Sequence, residues 1–237
     1  MVYPYIEHHK VWDNWFKLCI SNDRDENWYG LKTICDDLKC SWDDAVEVQN
    51  KRNLFLRDLI SPGDVVIDVG ANIGSVALSM VMRSKSKIIV IEANPSNIPI
   101  IKRNFQLNDV IDYQIYSNIA DEKSGMKKFI SEEMVDSRGT EVETIALDDL
   151  GIAPDVIKID VEGYEIAVLR GAKEMLKKKP KLEIETHLFE KVSMEYHGFD
   201  PQELLDILYS NGYEVYLNGQ KCEHNFELKH NMFLHCR

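Results

Sequence analysis

The order of apolar and polar positions changes character near residue 61. Beyond it, residues 65–69 form a short β-branched run, Val65-Val66-Ile67-Asp68-Val69, with apolar residues on both sides of the pleat, as in a central parallel strand. A helix is predicted over 73–82 and a strand over 87–91. Next comes a helix capped by Asn94, with Pro95 in its first turn and Ile98, Ile101 and Phe105 on one face. Further strands are predicted at 113–116 and 155–159. The stripe Tyr164, Ala167, Val168, Gly171, Ala172, Met175 and Leu176 predicts one helix running up to Pro180, followed by a strand over 182–186. Asp200, Pro201 and Glu203 open a helix carrying Leu204, Leu205 and Leu208, and strands at 213–217 and 231–235 close the pattern as antiparallel neighbours. Strands alternating with helices predict an α/β fold, a doubly wound sheet of about seven strands with helices on both faces.

The segment before residue 61 has a different texture and holds all four tryptophans. Trp12, Trp15, Phe16 and Cys19 recur at helical spacing. A second helix is predicted to start at Ser41, with Asp44 at its third position, and to present Ala45, Val46, Leu56, Leu59 and Ile60 toward a core. The expected organisation is an N-terminal helical cap over residues 1–60, either simply packed on the main domain or serving as a lid over substrate, and a main domain over 61–237.

Charge narrows the partners. The 28 lysines and arginines against 40 aspartates and glutamates leave a net −12, which repels phosphate backbones and anionic headgroups, so neither nucleic acid nor membrane is an expected partner. Five widely spaced cysteines, with no C-x-x-C pair, fit reduced thiols rather than a zinc ribbon. The first residues carry no cationic-then-apolar leader and no stretch is apolar enough for a membrane span, so a cytoplasmic protein is expected. Oligomeric state is left open.

In a doubly wound sheet ligands bind outside the carboxyl ends of the strands. After the first strand stand Gly70, Ala71, Asn72, Ile73 and Gly74, a G-x-x-x-G turn rather than the G-x-G-x-x-G that seats a dinucleotide pyrophosphate. After the second stands Glu92, a carboxylate able to accept from both hydroxyls of a ribose. Asn118-Ile119-Ala120-Asp121 after the third can frame an adenine ring with a polar edge and an apolar face. After the fourth, Lys158-Ile159-Asp160-Val161-Glu162-Gly163-Tyr164-Glu165 runs a buried strand into three acids, a density of charge that packing does not explain and that places Asp160 and Glu162 in the pocket. His187, Asp160 and Glu185 are candidate proton acceptors, and Glu185 and His187 leave the same face of the fifth strand.

The segments Val66-Ile67-Asp68-Val69-Gly70-Ala71-Asn72-Ile73-Gly74, Ile91-Glu92-Ala93-Asn94-Pro95 and Lys158 through Glu165, with the later Val168-Leu169-Arg170-Gly171-Ala172, resemble those of FkbM-family methyltransferases. The resemblance implies a class I methyltransferase fold, S-adenosylmethionine as donor, and O-methylation of a sugar or other natural-product hydroxyl. By the same resemblance Asp68, Gly70 and Asn72 surround the methionine part of the donor and Glu92 holds the ribose, while Asp160 and Glu162 face a small-molecule acceptor. Some small-molecule methyltransferases hold a divalent cation at the acid ending the fourth strand, a role open to Asp160, but no full ligand set is visible and no metal is assigned. Two alternatives remain at this level, a nicotinamide-dependent oxidoreductase and a non-catalytic binding protein that retains the fold.

Overall fold

The computed structural model describes residues 5–11, 14–20, 54–129, 140–189 and 192–237. The chain begins with β1 (Tyr5–Val11) and β2 (Asn14–Ile20), an antiparallel hairpin in which Tyr5 faces Ile20 and Val11 faces Asn14. Of the helix expected from Trp12, Trp15, Phe16 and Cys19, Trp12 lies outside the described residues and the other three stand on a strand, and β2 runs over the helices at 75–84 and 98–107. The predicted start of a second helix at Ser41 lies outside the described residues. Of the residues expected to face a core, Leu56 and Leu59 lie on α1 (Leu54–Leu59) and are buried, as is Ile60 just after it.

The α/β framework follows in order: β3 (Val66–Val69), α2 (Ser75–Ser84), β4 (Ile88–Ile91), α3 (Ile98–Leu107) and β5 (Tyr113–Tyr116). Next come β6 (Ile119–Ala120), β7 (Gly125–Phe129) and β8 (Thr140–Ile145), which form a separate three-stranded sheet. A 3-10 turn at Leu147–Leu150 leads to β9 (Val156–Ile159), α4 (Glu165–Arg170), α5 (Lys173–Leu176) and β10 (Lys181–Thr186). The short hairpin β11 (Leu188–Phe189) and β12 (Val192–Ser193) precedes α6 (Pro201–Ser210), β13 (Val215–Leu217), β14 (Gln220–Lys221) and β15 (Met232–Cys236).

The main sheet runs β14-β13-β15-β10-β9-β3-β4-β5. Strands β10, β9, β3, β4 and β5 are parallel, and β15 and β13 are antiparallel to their neighbours. All seven expected strands are present, and the two-residue β14, paired to β13, makes an eighth.

Period-two alternation divides the core between the faces. Ile67, Val69, Ile89, Ile91, Ile157 and Ile159 pack with Ile166, Leu169, Met175, Leu204 and Leu208 from α4, α5 and α6. Val66, Ile88, Val90 and Val156 pack with Leu56, Leu78, Met80, Ile101 and Phe105 from α1, α2 and α3. Two charged residues, Asp68 and Lys158, face each other in the β3–β9 register on this second side.

Two helices differ in their ends from expectation. Asn94 caps a turn, its Oδ1 accepting from the Ser96 amide at 3.0 Å, and α3 starts three residues later with a proline in its first turn. The helix expected from 164 to Pro180 breaks at Gly171, where a Cβ would stand 2.1 Å from the Asp121 carbonyl oxygen. Its restart is capped from outside, Asp148 accepting from the Glu174 and Met175 amides at 2.9 and 2.8 Å. At α6, Asp200 caps as expected, accepting from the Gln202 amide at 3.0 Å. Glu203 turns instead to Arg170, in a bidentate pair of 2.7 and 2.8 Å that ties α6 to α4. Because both side chains are about a third exposed, Glu203→Ala is expected to lower stability by only about 1 kcal/mol, read as a small shift of the urea midpoint at unchanged slope.

Candidate functional site

The chain leaves β3 through a turn in left-handed conformations, with φ of 79° at Gly70, 52° at Asn72 and 83° at Gly74. Gly70 is obligatory here, because a Cβ would sit 1.8 Å from the Asp160 carbonyl oxygen. Gly74 lies against Ile101 of α3, 3.3 Å from a would-be Cβ. The space these glycines provide is thus taken by the protein's own chain.

Glu92, just beyond β4, is 6% exposed and fastens that turn. Its carboxylate accepts from the Asn72 amide at 2.7 Å, the Asn94 amide at 2.8 Å and the Asn97 side-chain amide at 3.2 Å. Burial pushes the carboxyl up to about 7 against the pull of these donors. Two features that the sequence offered separately are therefore one structure.

Lys158 is the residue that sequence reading passed over, although a lone lysine inside an apolar central strand is itself a signal. Its Nζ stands 3.0 Å from Asp160 Oδ2 and 3.4 Å from Asp68 Oδ1. Asp68 is wholly buried and neither of its oxygens makes a well-formed hydrogen bond. Burial raises its carboxyl above the usual range in spite of the lysine. Burial would raise Asp160 too, but Lys158 and then His187 hold it below. The lysine's own burial, which would lower it, is outweighed by the two aspartates, and its pKa lies above the ordinary value.

Beyond β10 stands His187, 4% exposed. Its Nδ1 lies 2.7 Å from Glu165 Oε1, and its Nε2 lies 3.8 Å from Asp160 Oδ1 and 3.6 Å from Glu162 Oε2. Burial disfavours its charge, yet the Glu165 hydrogen bond and the surrounding carboxylates push it up to about 9. Glu185 is pushed up to about 8, by burial and then by Asp160. At neutral pH, protons therefore reside on His187 and Glu185 and the negative charge on Asp160. This crowding of acids sets His187 apart from an ordinary histidine. Glu162 itself adopts φ 53°, uncommon for a residue with a side chain, and the structure brings it, Asp160 and His187 to one place. Ligating atoms of Asp160, Glu185 and His187 lie within 4.8 Å of one another, but Lys158 already supplies a cation to Asp160, and we assign no metal to them.

Asn118 is half-buried just before β6. Asp121, after β6, is engaged with the Glu122 amide at 2.7 Å and with Lys127 Nζ, so an adenine contact through its carboxylate would compete with that lysine.

The sheet is that of a class I S-adenosylmethionine-dependent methyltransferase fold. The structure is similar to that of a putative rRNA-methylase from Clostridium thermocellum, with a TM-score of 0.53 and 8% identity over 79% of this chain and 93% of that one. Precorrin-6y C5,15-methyltransferase from Geobacter metallireducens GS-15 matches with a TM-score of 0.47 and 17% identity, covering 78% and 84% of the two chains. A SAM dependent methyltransferase from Aquifex aeolicus matches with a TM-score of 0.47 and 14% identity, covering 78% and 87%. At these identities the likeness is one of fold. No curated protein matches the chain in sequence.

The family model described as the methyltransferase FkbM domain matches residues 68–215, and the chain belongs to the FkbM methyltransferase family. Among the alternatives left by the sequence, this selects the S-adenosylmethionine-dependent methyltransferase over the nicotinamide enzyme. Among the described residues no helix is long and apolar enough to cross a membrane.

Proposed function

We propose that this methyltransferase acts on a hydroxyl of a small polar acceptor such as a sugar, with His187 as the proton acceptor. The donor supplies an electrophilic methyl on a positively charged sulfur. The residues fit such a molecule: Asp68 has a buried carboxylate without a well-formed hydrogen bond, with Lys158 at 3.4 Å from Oδ1, and could take an ammonium as well, and Glu92 has a carboxylate suited to ribose hydroxyls. Gly70 and Asn72 shape the turn between them, and Asn118 and Asp121 border the adenine side. Asp160 and Glu162 flank the acceptor.

One observation carries the reading to oxygen. A neutral hydroxyl must lose a proton when methylated, and His187 presents a basic nitrogen beside Asp160 and Glu162 at the strand ends. The net charge of −12 favours a neutral or cationic small acceptor over RNA. At neutral pH His187 holds a proton, and the donor's positive charge favours its release. Since the unprotonated form reacts, kcat/KM is expected to rise with pH through about 9.

The test is calorimetric binding of S-adenosylmethionine and S-adenosylhomocysteine, followed by transfer of labelled methyl to a panel of hydroxylated acceptors. His187→Ala is expected to lower kcat about 100-fold with donor binding intact. Full turnover by that variant, or label recovered on nitrogen, would overturn the reading. Donor binding without transfer to any acceptor would favour the non-catalytic alternative.

A further inference from the structure

Glu165 opens α4 with no solvent exposure, yet donor binding makes no use of it. A carboxylate in such a place costs several kcal/mol unless it is matched, and an apolar side chain would pack the helix start as well. Glu165 is matched at one oxygen only. Oε1 lies 2.7 Å from His187 Nδ1 and accepts from the Gly163 amide at 3.1 Å, whereas Oε2 has no hydrogen bond. The Gly163 amide is itself set by the turn after β9, since a Cβ at Gly163 would stand 2.8 Å from the Ser193 backbone.

The imidazole is consequently fixed from one side. Nδ1 is within hydrogen-bond distance of a buried carboxylate that also accepts from a backbone amide. Nε2 is beyond that distance from Asp160 and Glu162, and it faces the end of the sheet where an acceptor would lie. The charged and titratable groups around the ring are Glu165 from α4, Asp160 and Glu162 after β9, Lys158 on β9, Glu185 on β10 and His230 before β15. Glu165 alone among them is shown within hydrogen-bond reach of a ring nitrogen.

We propose that Glu165 is the positioning residue for His187: it keeps a proton on Nδ1, so that Nε2 takes the acceptor's proton, and it stabilises the imidazolium that results. This rests on the reading of His187 as the proton acceptor. In the step, the hydroxyl proton passes to Nε2 while an electron pair of the oxygen forms the bond to the methyl carbon. The carbon–sulfur bond of the donor breaks with its pair remaining on sulfur, which becomes neutral. His187 later releases the proton to water.

The experiment is a double-mutant cycle of Glu165→Gln and His187→Ala, assayed for kcat, KM, S-adenosylhomocysteine affinity and urea midpoint. Glu165→Gln is expected to lower kcat about 30-fold with KM and product affinity unchanged, and to move the pH limb of kcat/KM to lower pH. The double variant is expected to be no slower than His187→Ala alone, because the two residues act as a unit. Losses that multiply, or a Glu165→Gln variant with full kcat beside an inactive His187→Ala, would overturn the role of Glu165 and leave His187 standing. A fully active His187→Ala would instead overturn the underlying reading. Activity abolished by a chelator and restored by magnesium or manganese would overturn both, because His187 would then be a metal ligand. If Glu165→Gln does not fold, Glu165→Asp replaces it in the same cycle.

Discussion

Replacing Lys158 with methionine is expected to lower folding stability by about 3–5 kcal/mol at neutral pH, more than any surface change in this protein. Methionine keeps the unbranched stem, so little packing is lost. What remains is Asp68 and Asp160 without the ammonium that stands 3.4 and 3.0 Å from them. Asp68, raised by burial, holds its proton in the folded protein at pH values where the unfolded chain has released it. Its contribution is therefore complete below the ordinary carboxylate range and is lost as pH rises through its folded value. Without Lys158 that loss deepens, so the deficit should be smaller near pH 5 than near pH 8 when urea unfolding of the two proteins is compared. An equal deficit at both would mean that the lysine stem, and not its charge, is what the sheet requires.

The second large effect is expected at Glu92. Two ribose hydroxyls donating to one carboxylate are each worth roughly 1.5–3 kcal/mol, so Glu92→Ala should weaken S-adenosylhomocysteine binding by about 10³-fold in calorimetry. The same substitution frees the Asn72 amide and loosens the turn that Gly70 and Gly74 frame. Since the ionised form is the acceptor and burial places the carboxyl at about 7, wild-type affinity should tighten as pH rises through that value. Glu92→Gln should bind weakly and without that pH dependence. Wild-type-like affinity in Glu92→Ala would remove the ribose assignment and send the search to Asn97 or Asp121.

The framework was legible wherever strands are buried on both faces, because their β-branched runs at 65–69, 87–91 and 155–159 resemble nothing else. The hairpin before it was not. In Asn14–Ile20 the apolar residues fall at 15, 16, 18, 19 and 20, which satisfies neither period cleanly, and pairing with Tyr5–Val11 decides the matter. The break at Gly171 was equally hidden, since it depends on the Asp121 backbone arriving from a distant segment. At the site, the acids were visible as a cluster at a strand end. What local sequence does not reveal is which partner each one takes: Glu92 holds a loop, Asp121 takes Lys127 and Glu165 takes His187.

The contact between Gly70 and the Asp160 carbonyl has one more consequence. The Gly70 backbone meets the Asp160 carbonyl directly, with the Val161 side chain beside the contact, so little soft material separates the turn that would cradle the donor from the turn that would face the acceptor. An adjustment on filling the donor half would then be felt in the acceptor half. Linkage then requires reciprocity: an acceptor that tightens donor binding by some factor must itself be bound tighter by that factor once the donor is in place. The two substrates of such an enzyme would assemble as an interdependent pair, and loss of the sulfur's charge after transfer would weaken the hold on both products together.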